Sequence, residues 1–180
     1  LVLKLQGDLQ EQAQDDVLGQ LTGNTFNSLG MDAISSAIKK AKANKDIKGI
    51  YLATGILGAD VAQLQELRDK LVDFKKSGKW IVAYSDMYTQ GCYYLATAAD
   101  KVYINPEGSI NWHGIGSQPM FVKDLLAKFG VKMQVIKVGK YKSATEMFTE
   151  EKMSDANREQ TQRYIQSLWD NMCKAVSKSR

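Results

Sequence analysis

The chain has 180 residues and a net charge of +4, with 44% hydrophobic and 24% charged residues. This length can bury the core of one domain, and the composition is ordinary for a globular protein. The positive charge is too small and too scattered for a nucleic-acid surface, which needs clustered basic residues or interleaved aromatics, so no nucleic-acid partner is predicted.

The first half of the chain alternates predicted strands and helices. Residues 1–7, "LVLKLQG", alternate apolar and polar side chains as a half-buried strand does, and residues 8–30 are polar, glycine-broken and predicted to be a loop. Residues 31–44 are predicted to form a helix and residues 47–54 a strand. Residues 59–78 are predicted to form an amphipathic helix, with one apolar stripe of Leu64, Leu67, Leu71 and Phe74.

The second half continues the alternation. The patterns predict a strand over residues 79–85, a small-residue helix over 90–99, a strand over 101–106 that ends at Pro106, a helix over 119–130 and a strand over 131–139. A long helix is predicted from Ser154, its N-cap, with an apolar face of Ile165, Leu168, Trp169, Met172, Cys173 and Val176. Alternating strands and helices predict an α/β fold with a largely parallel sheet.

Cysteine and histidine are too few for several common sites. The chain contains Cys92, Cys173 and a single histidine, His113. A zinc site built from these residue types needs three or four ligands, so no metal is predicted. A Ser-His-Asp triad could use only His113, which is interpreted as structural or exposed. A disulfide between the two cysteines stays open, so they do not indicate a compartment.

The segment "VIKVGKYKSATEMF", residues 135–148, carries three lysines within six positions, Lys137, Lys140 and Lys142. A lysine acts as a general base only when it is neutral, a form that burial and nearby positive charge favour. On an extended chain Lys140 and Lys142 share one face, whereas Ser143 points to the other and cannot pair with Lys142. Solvated charge at a strand end is the alternative interpretation.

Four segments in order resemble one peptidase family: "LVLKLQG", "YTQGCYYLATAADKVYINPEGSI", "FVKDLLAKFGV" and "VGKYKSATEMFTEEKMSDANREQTQRYIQSLWDNM". Together they resemble signal peptide peptidase A, also called protease IV, and more narrowly the amino-terminal half of its long, tandem-repeat form. The resemblance implies a Clp-protease/crotonase-like fold of repeated ββα units with a long C-terminal helix. It also implies that residues 1–180 form one such domain, the first of two repeats, with the second repeat absent from this chain.

The family's chemistry is a serine–lysine dyad, in which serine attacks the peptide carbonyl and a neutral lysine accepts and later donates the proton. Lys142 stands at the lysine position of the "YKSA" motif, so the resemblance implies that it is the general base. Lys140, two residues away, is predicted from its proximity to give electrostatic support. Gln90 stands at the serine position, where an amide cannot act as nucleophile. Cys92 lies out of register and is a poor substitute. In the long form, the carboxy-terminal repeat supplies the serine.

The resemblance further implies the surroundings in which this domain works. The expected substrates are apolar peptides, cleaved signal peptides among them, and the expected partners are the carboxy-terminal repeat and further copies in a homo-oligomer. No cofactor is implied. The expected location is the bacterial inner membrane, with the domain facing the periplasm and the anchor outside this chain. Because the chain begins inside a strand pattern without Met, we expect it to be a fragment. Because Gln90 stands at the serine position, we expect the isolated chain to be inactive.

Two alternatives remain open. The chain could be a catalytically inert structural or assembly domain, in which Lys142 is a remnant. Less favoured is a crotonase-like acyl-CoA enzyme on the same fold, because paired oxyanion amides serve both chemistries and fold alone does not decide function.

Overall fold

The computed structural model describes residues 1–13 and 28–180 as two compact units. The first unit comprises Leu1–His113 together with Lys174–Arg180, and the second comprises Gly114–Cys173. The expectation that residues 1–180 form a single domain stays a prediction.

A parallel sheet of five strands forms the centre of the first unit, with the spatial order β2-β1-β3-β4-β5. Its strands are β1 (Val2–Gln10), β2 (Ser28–Gly30), β3 (Gly49–Gly58), β4 (Trp80–Tyr88) and β5 (Lys101–Ile110). Parallel strands need crossover connections, which are usually helices. The helices after β2, β3 and β4 are α1 (Met31–Ala43), α2 (Val61–Lys75) and α3 (Gln90–Ala96). This arrangement confirms the predicted α/β fold class.

The core of the first unit follows the apolar periodicity of the sequence. The predicted stripe of α2 is buried, with Leu67, Leu71 and Phe74 fully inaccessible to solvent. On the central strands β3 and β4, the side chains that point into the core are also inaccessible, as at Ile50 and Ile81. Burial of such side chains is the main favourable term in folding. It holds strand β4, and therefore the start of α3 that follows it, in a defined position.

Two boundary predictions in the first unit were wrong. Part of the predicted loop over residues 8–30 is strand, because β1 continues to Gln10 and β2 covers Ser28–Gly30; residues 14–27 lie outside the described residues. The strand predicted to stop at Pro106 continues to Ile110. Proline lacks an N–H, but Pro106 falls where the β4–β5 register shifts, between the pairs Ser85–Ile104 and Met87–Ser109. The irregular ladder tolerates it there.

The second unit contains the helices α4 (Lys123–Lys128), α5 (Glu146–Thr149) and most of α6 (Asp155–Ser177). Helix α4 is shorter than the predicted helix over residues 119–130. The predicted long C-terminal helix is confirmed, and so is its N-cap, because the Ser154 Oγ accepts a hydrogen bond of 3.2 Å from the Asn157 N–H. Of the expected apolar face of α6, only Met172 is buried.

The strand predicted over residues 131–139 is not formed, and this correction changes the picture of the lysine segment. These residues adopt no regular secondary structure, and Ile136 and Val138 are 92% and 85% exposed. A strand needs a neighbouring strand to pair its backbone N–H and C=O groups. The described five-stranded sheet does not include these residues. Their β-propensity is therefore not matched by pairing in the described part of the chain.

Candidate active site

The lysine segment lies in turns rather than on a strand. Gly139 has a φ of +100°, a conformation that favours glycine, and the chain turns through the following residues until α5 begins at Glu146. The prediction that Lys140 and Lys142 share one face of a strand was therefore wrong. Their side chains are both exposed. The Lys140 Nζ lies 5.2 Å from the centre of the Tyr141 ring, within the range of a cation–π contact.

Lys142 lines a pocket of about 530 Å³ in the second unit. Much of the wall is apolar, formed by Val135, Ile136, Val138, Tyr141 and Ala144. The rest of the wall is polar, formed by Lys137, Ser143, Thr145 and Gln160, and the Lys142 side chain is exposed to solvent. The pocket thus offers a basic group and an apolar surface at one place.

Helix α6 contacts the residues on both sides of Lys142. The Tyr141 hydroxyl donates a hydrogen bond of 3.2 Å to a carboxylate oxygen of Glu159. The Gln160 side-chain amide donates a hydrogen bond of 2.6 Å to the Ser143 Oγ. The exclusion of Ser143 as a partner for Lys142 rested on an extended chain, which is not formed here. In the structure the Ser143 Oγ is engaged by α6.

A buried carboxylate that the sequence reasoning missed joins α5 to α6. Glu146 is 3% exposed, and its carboxylate accepts hydrogen bonds from the Ser154 Oγ (2.7 Å), the Ser154 N–H (3.2 Å) and the Asn157 side-chain amide (2.9 Å). Burial by itself raises the pKa of the Glu146 carboxyl, but the hydrogen bonds from Ser154 and Asn157 outweigh it and the net shift is downward. The sequence feature that could have indicated this contact is an acidic residue eight positions before the N-cap of the long helix.

Gln90 lies in the first unit, at the first residue of α3, whereas Lys142 belongs to the second. The N-cap of α3 is Thr89, and the Gln90 side-chain oxygen accepts a hydrogen bond of 3.2 Å from the His113 N–H. Near it, the Tyr93 ring packs edge-on against Trp112, with ring centroids 5.6 Å apart. A primary amide held in this way has no nucleophilic lone pair to offer a carbonyl carbon, so the expected serine position is occupied by a structural side chain.

Cys92 is fully buried, which bears on its suggested role as a substitute nucleophile. Its Sγ donates a hydrogen bond of 3.2 Å to the Gly55 carbonyl, and burial raises the pKa of the thiol. The thiolate is the reactive form, so a buried thiol with a raised pKa is inert.

We expect thiol reagents to distinguish the two cysteines. In the native protein Cys173, which is half-buried, should react promptly, whereas Cys92 should react only as the protein unfolds. Mass spectrometry after timed labelling measures both sites, and labelling in denaturant, where both should react together, is the control. Labelling of Cys92 as fast as Cys173 under native conditions would contradict its burial.

The described part of the chain contains neither a metal-ion cluster nor a helix that could span a membrane. Residues 1–13 and 28–180 contain no group of three or more His, Cys, Asp and Glu side chains arranged to hold a metal ion. Within the same residues, no helix has the length and hydropathy needed to cross a bilayer.

Comparison with known proteins establishes the class to which the chain belongs. The sequence profile of peptidase family S49 matches residues 73–180, so the chain is a member of that family. Among its relatives are two proteins named Protease 4: one from Haemophilus influenzae is 34% identical over 187 residues, and one from Salmonella typhi is 39% identical over 148 residues. The Arabidopsis thaliana protein named "Serine protease SPPA, chloroplastic" is 29% identical over 178 residues. The predicted resemblance to protease IV is confirmed.

The matched regions differ in how much of each protein they cover. The three alignments cover 100%, 82% and 98% of this chain, but only 30%, 24% and 25% of the respective relatives. The chain thus spans between a quarter and a third of the length of these relatives.

Proposed function

We propose that this chain supplies Lys142 as the general base of a serine endopeptidase with a Ser/Lys dyad, and that the serine comes from a carboxy-terminal repeat of the same protein. The observation that carries the proposal is the position of Lys142 at a pocket with a partly apolar wall, in a chain whose expected serine position holds the amide of Gln90. Membership of family S49 supports the peptidase activity. In this proposal the isolated chain is inactive.

The chemistry assigns one proton-transfer role to the lysine. A neutral Lys142 amine accepts the proton of the serine hydroxyl as the oxygen attacks the peptide carbonyl, and the ammonium then donates that proton to the leaving amine. Desolvation favours a neutral amine, so the active assembly must cover the pocket and exclude water from it. Lys140, held over the Tyr141 ring, contributes positive charge nearby but transfers no proton.

The apolar side chains around Lys142 indicate the class of substrate. Ile136 and Val138 are largely exposed and line the pocket, so an apolar peptide would bury them on binding. We propose apolar peptides as substrates, including cleaved signal peptides, at the bacterial inner membrane with this domain facing the periplasm. We also propose that the protease is a homo-oligomer.

The location of the nucleophile can be tested by covalent labelling. We expect a fluorophosphonate, which reacts with activated serines, to label the full-length protein at one serine outside residues 1–180. We also expect labelling to fall sharply in the Lys142→Met variant, because the serine loses its base. Peptide mapping by mass spectrometry identifies the site.

The alternatives predict different outcomes in this experiment. A serine labelled within residues 1–180 would contradict the split dyad. Labelling that does not depend on Lys142 would favour the inert assembly domain, an interpretation that Gln90 at the nucleophile position also supports. No labelling at all, together with saturable binding of a CoA thioester, would favour the acyl-CoA enzyme.

A further inference from the structure

The backbone around Lys142 lacks the support that a regular secondary-structure element would give it. The residue lies in the turns between Gly139 and α5, where the Ser143 N–H donates a hydrogen bond of 3.1 Å to the Tyr141 carbonyl across it. This bond closes a single turn and is not part of a ladder. A general base must nevertheless be held within a few tenths of an ångström of its proton donor, because small misplacements cost much of the rate. Some other contact must therefore orient this lysine.

The structure assigns that task to helix α6: we propose that Glu159 and Gln160, through their hydrogen bonds to Tyr141 and Ser143, are positioning residues for Lys142. The two contacts are called here the α6 clamp. This inference rests on the proposed function, because it matters only if Lys142 is the base.

The α6 clamp restrains both the position and the orientation of the backbone segment that carries Lys142. The hydrogen bonds attach to the residues immediately before and after Lys142, so the lysine backbone is bracketed on both sides. Glu159 and Gln160 are consecutive residues of a helix and project about 100° apart. Two anchors in different directions hold a segment in one orientation, which a single anchor cannot do.

The helix end that carries the clamp is itself fixed. Glu159 and Gln160 lie in the second turn of α6, just after the N-cap at Ser154, and the buried Glu146 carboxylate binds that N-cap. The Arg163 guanidinium pairs with one oxygen of the Glu159 carboxylate at 3.1 Å. This ion pair orients the Glu159 side chain so that its other oxygen accepts from the Tyr141 hydroxyl. A continuous set of contacts thus runs from α5 through α6 to the two neighbours of Lys142.

The Ser143–Gln160 bond is the clamp contact best suited to a test. Gln160→Leu and Ser143→Ala each remove it, whereas Ser143→Thr keeps a hydroxyl that can accept from the Gln160 amide. Gln162→Ala is the matched control, because Gln162 is an exposed residue on the same helix and outside the clamp. All variants are made in the full-length protein.

In steady-state kinetics on an apolar peptide ester, we expect Gln160→Leu and Ser143→Ala to lower kcat by about tenfold to 100-fold, with KM changed by less than about twofold. Ser143→Thr should recover most of the lost kcat, and Gln162→Ala should resemble the wild type. If the substitutions acted only through a general loss of structure, kcat would instead fall in each variant in proportion to its loss of stability, which thermal unfolding measures.

A readout that does not depend on activity completes the test. In protein labelled with ¹³C at the lysine ε-carbons, the Lys142 signal is assigned by its loss in Lys142→Met. We expect Gln160→Leu and Ser143→Ala to shift or broaden this signal, and Gln162→Ala to leave it unchanged. If Gln160→Leu matches Gln162→Ala in kcat and in the Lys142 signal while Lys142→Met is inactive, the clamp is wrong and the base assignment stands. Wild-type activity in Lys142→Met would instead overturn both.

Discussion

Replacing Lys142 by methionine in the full-length protein is expected to lower kcat/KM for an apolar peptide substrate by about 10²–10⁴-fold, the contribution of a positioned general base. Methionine keeps the length of the side chain and its apolar character but cannot accept a proton. The pocket is therefore preserved, and the loss reports the chemistry rather than the packing. Lys142→Ala should give a similar loss, since both variants remove the amine.

Lys140 provides the matched control for this prediction. It carries the same charge two residues away, but its Nζ lies over the Tyr141 ring. Its charge is exposed to water, where the interaction between two unit charges is worth about 1 kcal/mol or less, so Lys140→Met should cost no more than about fivefold in kcat/KM. Equal losses in the two variants would reopen which lysine is the base. Activity near the wild-type level in a folded Lys142→Met protein would show that Lys142 is not the base.

The second large effect is expected on stability, at Glu146. Glu146→Gln should lower the free energy of unfolding at pH 7 by about 2–3 kcal/mol, the range for hydrogen bonds to a charged acceptor. The carboxylate accepts from three donors on Ser154 and Asn157, whereas an amide would turn its own N–H₂ group toward one or more of them. Chemical denaturation measures the loss, and hydrogen exchange of the α6 amides locates it.

The pH dependence of this effect has a definite sign. Because the pKa of Glu146 in the folded protein is below its ordinary value of 4.5, the unfolded chain takes up the proton first as pH falls. The stabilisation by Glu146 is therefore complete above about pH 4.5 and is lost as pH falls through the folded pKa. The difference between wild type and Glu146→Gln should accordingly be largest near neutrality and shrink in acid.

Glu151 offers a control of the same residue type and the same region. Its side chain is 67% exposed and pairs with Lys123 at 3.3 Å. Pairs at the surface contribute about 0–1 kcal/mol, so Glu151→Gln should change stability little at any pH. A Glu146→Gln protein as stable as Glu151→Gln would mean that the buried hydrogen bonds do not hold α5 to α6.

Strong periodicity made much of the fold predictable. The apolar stripe of α2 and the N-cap of α6 at Ser154 could be read directly, because both depend on residues close together in the chain. Strand ends were less predictable. At Pro106, the strand continues because the ladder to β4 shifts register there, and pairing across strands is not visible in local sequence.

The site shows the same division. The motif around Lys142 predicts that this residue is the general base, and that stays a prediction. The predicted strand before it was wrong, and with it the shared face of Lys140 and Lys142. A run of β-branched residues has the propensity for a strand, yet a strand forms only when a partner pairs its backbone. Glu146 was missed for a related reason: an acidic residue in a polar segment reads as solvated, and only its packing against the start of α6 buries it.

The sequence by itself determined the α/β class and the family, because these follow from periodicity and motif, and it predicted Lys142 and Gln90 at the two dyad positions. Only the tertiary structure decided that Gln90 is held by the His113 N–H, that Cys92 is buried and inert, and that α6 contacts both neighbours of Lys142. Such contacts join residues 17 to 23 positions apart. Their hydrogen bonds depend on which distant segments the fold brings together, and no local sequence pattern encodes that.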